Sequence, residues 1–413
     1  MPAQTDFISD FLDMTEGLRS PLLFRKWSAI ACMAGALERR VWTSTSAGGI
    51  FGNLYVLLVA PPGVGKFVVE SARELMGLVR EPGTKLPAFK IASDSVTNAS
   101  LMDELAKAKS VRLMPAGAPY CYHSLFAAAE EFQLLLPSYD QQFIASLNSM
   151  FNNKALHRET RRTGSVRELT IENPQINILA GAQPAYFVST FPEEAWNTGL
   201  IRRIIMIYST ETSKRSLWEE IASPEVARVR CLSALAEASQ LFGKAGWTPE
   251  AARAIDEWQL SGPAGQGGPP VPKHSKLQHY VRSRTVFAIK LALISALSRR
   301  RHLVIEEIDV KRGIEWLLEA EFAMPDIFRE MVGRSDSQVI EETYLYAMEL
   351  WAKGKQKIQV PGAKLRAFLL QRVPSERAEG ILKGMVGAGL LSQPQAPLEL
   401  FKPMPRDVSE IRE

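Results

Sequence analysis

The chain has 413 residues, enough for two or three domains with separate cores, and a composition 46% hydrophobic and 23% charged excludes intrinsic disorder. A net charge of only +4 excludes a generally basic nucleic-acid coat, so any such site must be a local cluster. Three widely spaced cysteines (Cys32, Cys121, Cys231) and five histidines without ligand spacing exclude a disulfide scaffold and a zinc site.

The opening MPAQTDFISDFLDM is acidic and mixed, unlike a secretory signal, and no apolar run reaches ~18 residues. The expectation is a soluble, cytoplasmic protein with no membrane partner. Residues 1–50 read as a helical collar: Ser20 and Pro21 make an N-cap and first-turn pair, and Leu22 to Arg40 carries apolar residues at helical spacing. Arg39 and Arg40 fall in its last turn, where cations suit the helix dipole.

From 51 to 255 short apolar strands alternate with helices, the pattern of a parallel α/β sheet. The predicted strands are LYVLLVA (54–60), AFKIAS (88–93), SLFAAA (124–129), INILAG (176–181) and RIIMIYS (203–209). A helical lid follows over 256–334. It contains a breaker-rich, mobile loop at 261–272 and helices over Tyr280–Leu297 and Ile308–Val332, with Asp309 as an N-cap. Residues 335–413 read as three helices and two short terminal strands, GLLSQ and LELFKP, the pattern of a winged helix. Its cations Lys364, Arg377 and Lys383 are candidates for duplex contact.

The central motif is VLLVAPPGVGKF, a hydrophobic strand, a Gly/Pro-rich turn and then a helix. Pro62, Gly63, Val64, Gly65, Lys66 and Phe67 form a candidate phosphate cradle, in which N–H groups and the helix N-terminus bind phosphate and Lys66 reaches its terminal oxygens. The motif departs from G-x-x-x-x-G-K-[ST] at Ala60 and at Phe67, where a magnesium-binding hydroxyl is expected. Some 60 residues on, SLFAAAEE ends an apolar strand in two acids, a Walker B pattern. There Glu130 would hold magnesium through water and Glu131 would polarise the attacking water.

Gln183 ends the strand INILAG, where a polar side chain would point at the terminal phosphate. Arg202 and Arg203 precede the last strand, where an arginine would cross into a neighbour's nucleotide site, and Arg282 and Arg284 open the lid, where Arg284 would touch nucleotide. Between these motifs, NNKALHRETRRTGSVRELTI reads as a hairpin turning at Thr163-Gly164-Ser165. Lys154, His157, Arg158, Arg161, Arg162 and Arg167 would give it a basic, phosphate-gripping character against Glu159 and Glu168.

With GNLYVLLVAPPGVGK, IENPQINILAGAQP, GLIRR and KLALISAL in this order, the chain resembles the helicase portion of phage and mobile-element primase-helicases. That group is similar to superfamily-three and MCM helicases and is of the AAA+ P-loop type. The resemblance covers about residues 10–330 and implies an ATP- and magnesium-dependent hexameric ring translocating on single-stranded DNA during replication. No primase motif is present, so priming would need a separate chain. The resemblance assigns Lys66 to phosphate, Glu130 and Glu131 to Walker B, Gln183 to the sensor position and Arg203 to the arginine finger. Phe67 departs from the pattern and leaves two alternatives open. One is a hydrolysis-deficient nucleotide-binding ring or helicase loader, and the other an initiator or regulator acting through the winged helix.

Overall fold

The computed structural model describes residues 6–93, 97–114, 117–136, 140–160, 168–191, 195–196, 199–212, 218, 224–263, 265–299, 302–354, 359–373, 375–392 and 400–404. The chain divides into two compact units, Met1–Phe328 and Arg329–Glu413. The residues expected as collar and core lie in the first, as does the expected lid up to Phe328, while its last residues, 329–334, fall in the second. Among the described residues no helix is long and apolar enough to cross a membrane.

The first unit is mixed α/β. Helices α1 (Phe7–Met14) and α2 (Leu22–Leu37) lead into a hairpin, β1 (Val41–Thr45) and β2 (Gly48–Phe51). Residues 41–50, which the collar reading had as helical, are therefore strand and turn. The alternation VWTST buries one side chain in two, a strand period rather than a helical one. Pro21 itself is the N-cap of α2, and no side chain caps that end, so Ser20 does not have the capping role expected of it. Arg39 and Arg40 sit in a 3₁₀ turn beyond the helix and are buried. Arg40 pairs with Glu38 at 2.8 Å and donates to the carbonyls of Ala36, Ala238 and Leu241 at 2.6, 3.2 and 3.0 Å, and also to that of Ser239. Arg40 thus satisfies last-turn carbonyls of α2 and of the helix over Glu225–Gln240, where a cation suits the helix dipole, although it lies beyond α2 and not in its last turn.

The central sheet combines β3 (Tyr55–Val59), β4 (Lys109–Leu113), β5 (Pro119–Ala129), β8 (Pro174–Ala182) and β9 (Ile204–Tyr208) in the order β4-β5-β8-β3-β9. All neighbours run parallel except β4, which is antiparallel to β5. Every residue of β3, β8 and β9 is buried, which is why their sequences are continuously apolar. AFKIAS forms only a bridge from Ile91 to Phe126, not the predicted strand, while β4 escaped the sequence reading because KSVRL is polar at alternate positions. Helices α3 (Val68–Leu78), α4 (Asn98–Lys107), α5 (Gln141–Phe151) and α6 (Pro184–Thr190) connect these strands. Strands β6 (Leu156–Thr160) and β7 (Glu168–Glu172) pair antiparallel as a separate ribbon.

Beyond the sheet come α7 (Glu225–Gln240), β10 (Gly243–Lys244), β11 (Gly246–Trp247), α8 (Pro249–Leu260), α9 (Arg284–Arg299), β12 (Val304–Ile305) and α10 (Glu307–Phe322). Here β10 extends the β1–β2 hairpin and β11 pairs with β12. The N-cap of α10 is Glu306, and Asp309 closes its capping box from the third position. Asp309 also accepts from Ser295 at 2.9 Å and Arg299 at 2.8 Å. It is more useful buried there than as the N-cap first assigned.

Helix α11 (Met324–Lys353) carries the chain into the second unit, which adds β13 (Val360–Pro361), α12 (Gly362–Leu370), α13 (Ser375–Gly387), β14 (Leu391–Ser392) and β15 (Leu400–Pro403). Its sheet order is β13-β15-β14, around a core that includes Leu365, Leu369, Leu382, Met385 and Phe401.

The loop at 261–272 is pinned where the sequence suggested mobility. Arg284 is fully buried beneath it, bonded to Glu321 at 2.8 Å and donating to the carbonyls of Gln266, Gly268 and Pro270 at 2.6, 3.0 and 2.8 Å. Burial pushes the Glu321 carboxyl up, and Arg284 opposes that. We expect Arg284→Met to lower stability by about 3–5 kcal/mol, since it strands a buried carboxylate and three carbonyls. Without its arginine Glu321 is raised further, so the folded state loses more stability as pH rises above the ordinary carboxylate range. Thermal melts should therefore show a larger deficit at pH 8 than at pH 5; an equal deficit would place the damage in packing alone.

Candidate phosphate site

Parallel strands expose the chain's loops at their carboxyl ends, and in open α/β sheets ligands gather there. The loop after β3, the two acids after β5 and Gln183 after β8 meet at that edge, with β8 separating the other two strands. Ala60 is tied to β8 by its N–H, which donates to the carbonyl of Ala182 at 3.1 Å. Gly63 has φ +88°, a left-handed conformation that suits glycine, while Val64 turns inward and anchors the loop. Helix α3 begins immediately after Phe67, and its first N–H groups lean back on the loop: Val69 donates to the carbonyl of Lys66 and Glu70 to that of Phe67, both at 3.1 Å.

Lys66 lies across the sheet edge. A Cβ at position 181 would stand 2.7 Å from its Cδ and 2.1 Å from the carbonyl oxygen of Glu130, so only glycine leaves room for this lysine. Half-burial pushes the Lys66 ammonium down, and Glu131 and then Glu130 push it back up. The side chains predicted to bind phosphate and to work on water are thus within electrostatic reach of one another. Glu130 is exposed, Glu131 is partly buried and accepts a hydrogen bond from Gln133 Nε2, and Gln183 is partly buried at the N-cap of α6 without capping it. Phe67 is 61% exposed and offers no oxygen.

Two elements of the edge were missed. Gly181 sits in an apolar run that gives no sign of its role. The connection between α1 and α2 covers the loop, and a Cβ on Gly65 would stand 2.7 Å from the carbonyl oxygen of Arg19. Nothing in TEGLRSP announces this contact.

Several predicted residues belong elsewhere. Arg284 is consumed by Glu321 and the loop carbonyls described above, so it is not a nucleotide contact, whereas Arg282 is exposed. Arg203 does not project as a finger. It is buried, bonded to Asn152 Oδ1 by Nε and Nη2 at 3.1 and 2.9 Å and to Asn148 Oδ1 at 3.2 Å. Burial and the neighbouring Arg202 lower its pKa to about 10. Arg202 is exposed and remains free for the role.

The hairpin expected from its turn residues is present as β6 and β7, with Arg158 opposite Thr170. Lys154 and Arg158 are exposed, while His157 faces inward. Burial pushes the His157 imidazole down, so at neutral pH it adds no charge to the cluster. Arg161, Arg162, Arg167 and the turn Thr163-Gly164-Ser165 lie outside the described residues.

Among the described residues no group of three or more His, Cys, Asp or Glu is placed to hold a metal ion, and none of the three cysteines forms a disulfide. A magnesium ion carried by nucleotide does not need such a group, since phosphates and waters fill most of its shell. No protein-family profile matches the chain, and no curated protein matches it at a significant level.

Only protonated Lys66 attracts phosphate, so nucleotide affinity should fall as pH rises through its lowered pKa. Glu131→Gln removes an influence that raises it, and the alkaline limb of an ATP-analogue titration should therefore move to lower pH. An unmoved limb would show that Lys66 does not sense Glu131.

Proposed function

We propose that this chain is the ATP-driven motor of an AAA+ type ring helicase, working on single-stranded DNA in replication. One observation carries the reading: the Lys66 side chain lies over Gly181 and beside Glu130 and Glu131, at the carboxyl ends of adjacent parallel strands. A Gly/Pro-rich loop opening a helix supplies N–H groups for phosphate, and the lysine supplies the charge. In this reading α1, α2 and the β1–β2 hairpin are the collar, α9 and α10 belong to the lid, and the second unit, with its three-stranded sheet and helices, is the winged helix.

The residues fit a nucleoside triphosphate. Lys66 and the loop would bind its phosphates, Glu131 would hold the attacking water while fixed by Gln133, and Gln183 would face the same space. A magnesium ion supplies charge neutralisation between phosphates when bound. Glu130 and Glu131 offer it carboxylates, but residue 67 offers nothing. Phe67 therefore favours a second reading, a ring that binds nucleotide and hydrolyses it poorly. In either case Arg202 is the cation that a second copy would present to the site, and Lys154 and Arg158 are the described cations of a strand-gripping hairpin.

Lys66→Ala should weaken binding of a fluorescent ATP analogue by tenfold or more, about 1.4 kcal/mol or greater. Unchanged binding would remove the nucleotide assignment. Phe67→Thr restores a metal ligand and should increase magnesium-dependent phosphate release severalfold, whereas a parent already as fast as this variant would show that residue 67 imposes no defect. If Lys154 and Arg158 each contact a phosphate, their joint replacement by Ala lowers the log–log salt slope of single-strand binding by roughly 0.7 per contact. A slope unchanged across a salt titration would move the strand away from this hairpin.

A further inference from the structure

Three buried cations stand at the amino-terminal edge of the central sheet, opposite the phosphate site, and each donates to neutral oxygens. Lys290 on α9 bonds the carbonyl and side-chain oxygens of Asn53, both at 2.7 Å. Arg39 donates to the carbonyls of Pro174 and Asn153, both at 2.8 Å. Arg203 takes the side chains of Asn148 and Asn152 together with the carbonyl of Gly199. All three meet the segment that closes α5 and opens β6, the root of the β6–β7 hairpin, Lys290 by standing over the Phe151 ring at 3.9 Å.

The Arg203 contact is tightly built. A Cβ on Gly199 would stand 2.6 Å from Arg203 Nη1 and 3.0 Å from Asn148 Nδ2, so a larger residue there would displace the guanidinium and the amide from this arrangement. Arg203 also lies over the Phe151 ring at 5.9 Å. Asn152 is otherwise an exposed residue just past the helix end, and Asn153 next to it has φ +58°. The same stretch is held from a second direction, because Asn53 Nδ2 donates to the carbonyl of Phe151 at 3.3 Å. Asn53 leads directly into β3, and β3 leads into the phosphate loop.

We propose that Arg203, Asn148 and Asn152 form a positioning clamp tying the turn that presents Arg202 to the root of the β6–β7 hairpin. Through it, single-stranded DNA on the hairpin and nucleotide at the phosphate loops change each other's affinity. The proposal rests on the functional reading above and gives Arg203 a new role in it. A hairpin pulled by DNA moves Asn152, Asn152 moves the guanidinium, and the guanidinium carries the turn with Arg202 on it. Asn53 and β3 give the same displacement a path to the loop within one chain. Linkage requires the effect to be reciprocal, so it can be read in binding alone, without hydrolysis.

The experiment uses the full chain, a fluorescein-labelled oligothymidine and a non-hydrolysable ATP analogue. DNA affinity is measured with and without saturating analogue, and each ligand is also titrated alone. In the parent the analogue should change DNA affinity by about fivefold or more, a typical coupling. In the Asn148→Ala, Asn152→Ala double variant the ratio should approach one while each ligand binds alone as in the parent. Asn152→Asp keeps an acceptor for Nε and Nη2 and should restore the ratio, which a purely packing role would not require. Both single Ala variants are run alongside, so a double variant that fails to fold leaves the series readable. A double variant with the parent's ratio overturns the clamp, as does a parent that binds both ligands with a ratio of one. A parent that binds no analogue, or binds it equally after Lys66→Ala, overturns the nucleotide reading instead, and the clamp's role falls with it.

Discussion

A parallel strand buried along its whole length can offer function only at its two ends, and β8 is such a strand. At its carboxyl end Gly181 is the position over which Lys66 and the carbonyl of Glu130 close together. At its amino end Pro174 gives its carbonyl to Arg39, which also holds Asn153 at the hairpin root. The neighbour β3 repeats this arrangement, with Asn53 at one end and the phosphate loop at the other, and Arg203 stands at the amino end of β9. The sheet fixes the distance between the two edges: nine residues of β8 at about 3.3 Å per residue make a rigid spacer of roughly 30 Å. What remains adjustable is the loops, and those are where the polar side chains gather.

The arginines show why sequence reading located the elements better than the side chains. GLIRR before a strand, RSR before a helix and ERR after one look alike as motifs. A guanidinium offers five donors, and a carbonyl left without a partner by a chain reversal attracts it much as a phosphate does. Arg40, Arg203 and Arg284 each collect one or more such carbonyls and are buried in doing so. Local sequence says that an acceptor must be nearby, but the acceptor's identity depends on contacts as distant as Arg40 with Leu241. By contrast the strand–loop–helix around Lys66 and the paired acids after β5 were legible, because each is defined within about a dozen residues.

Strands showed the same division. VLLV, INILA and IIMIY are buried on both faces, and a continuous apolar run marks them plainly. Strand β4 alternates because it lies at the sheet edge, and AFKIAS reaches its neighbour through Ile91 alone. The first was overlooked and the second overdrawn for one reason: edge pairing is decided by the partner, not by the segment's own pattern. The collar went astray similarly. Val41 to Phe51 becomes a hairpin because β10, some 200 residues on, supplies a further strand beside it.

Removing the carbonyl-bracing arginines from the count changes the electrostatic picture of the first unit. Among the described residues, half-buried Lys66 and exposed Arg19 remain near one edge, and exposed Arg202, Lys154 and Arg158 at the other. Exposed Glu168 and Glu172 lie on the same ribbon as Arg158, so its described stem is not strongly basic. Long-range steering between such sparse charges decays over about 8 Å at physiological salt. On the described stem the proposed single strand would meet few cations, Lys154 and Arg158 among them, and movement of the hairpin root would matter more than the protein's overall charge. That condition favours mechanical coupling through hydrogen-bonded anchors such as Asn152 over a diffuse electrostatic grip.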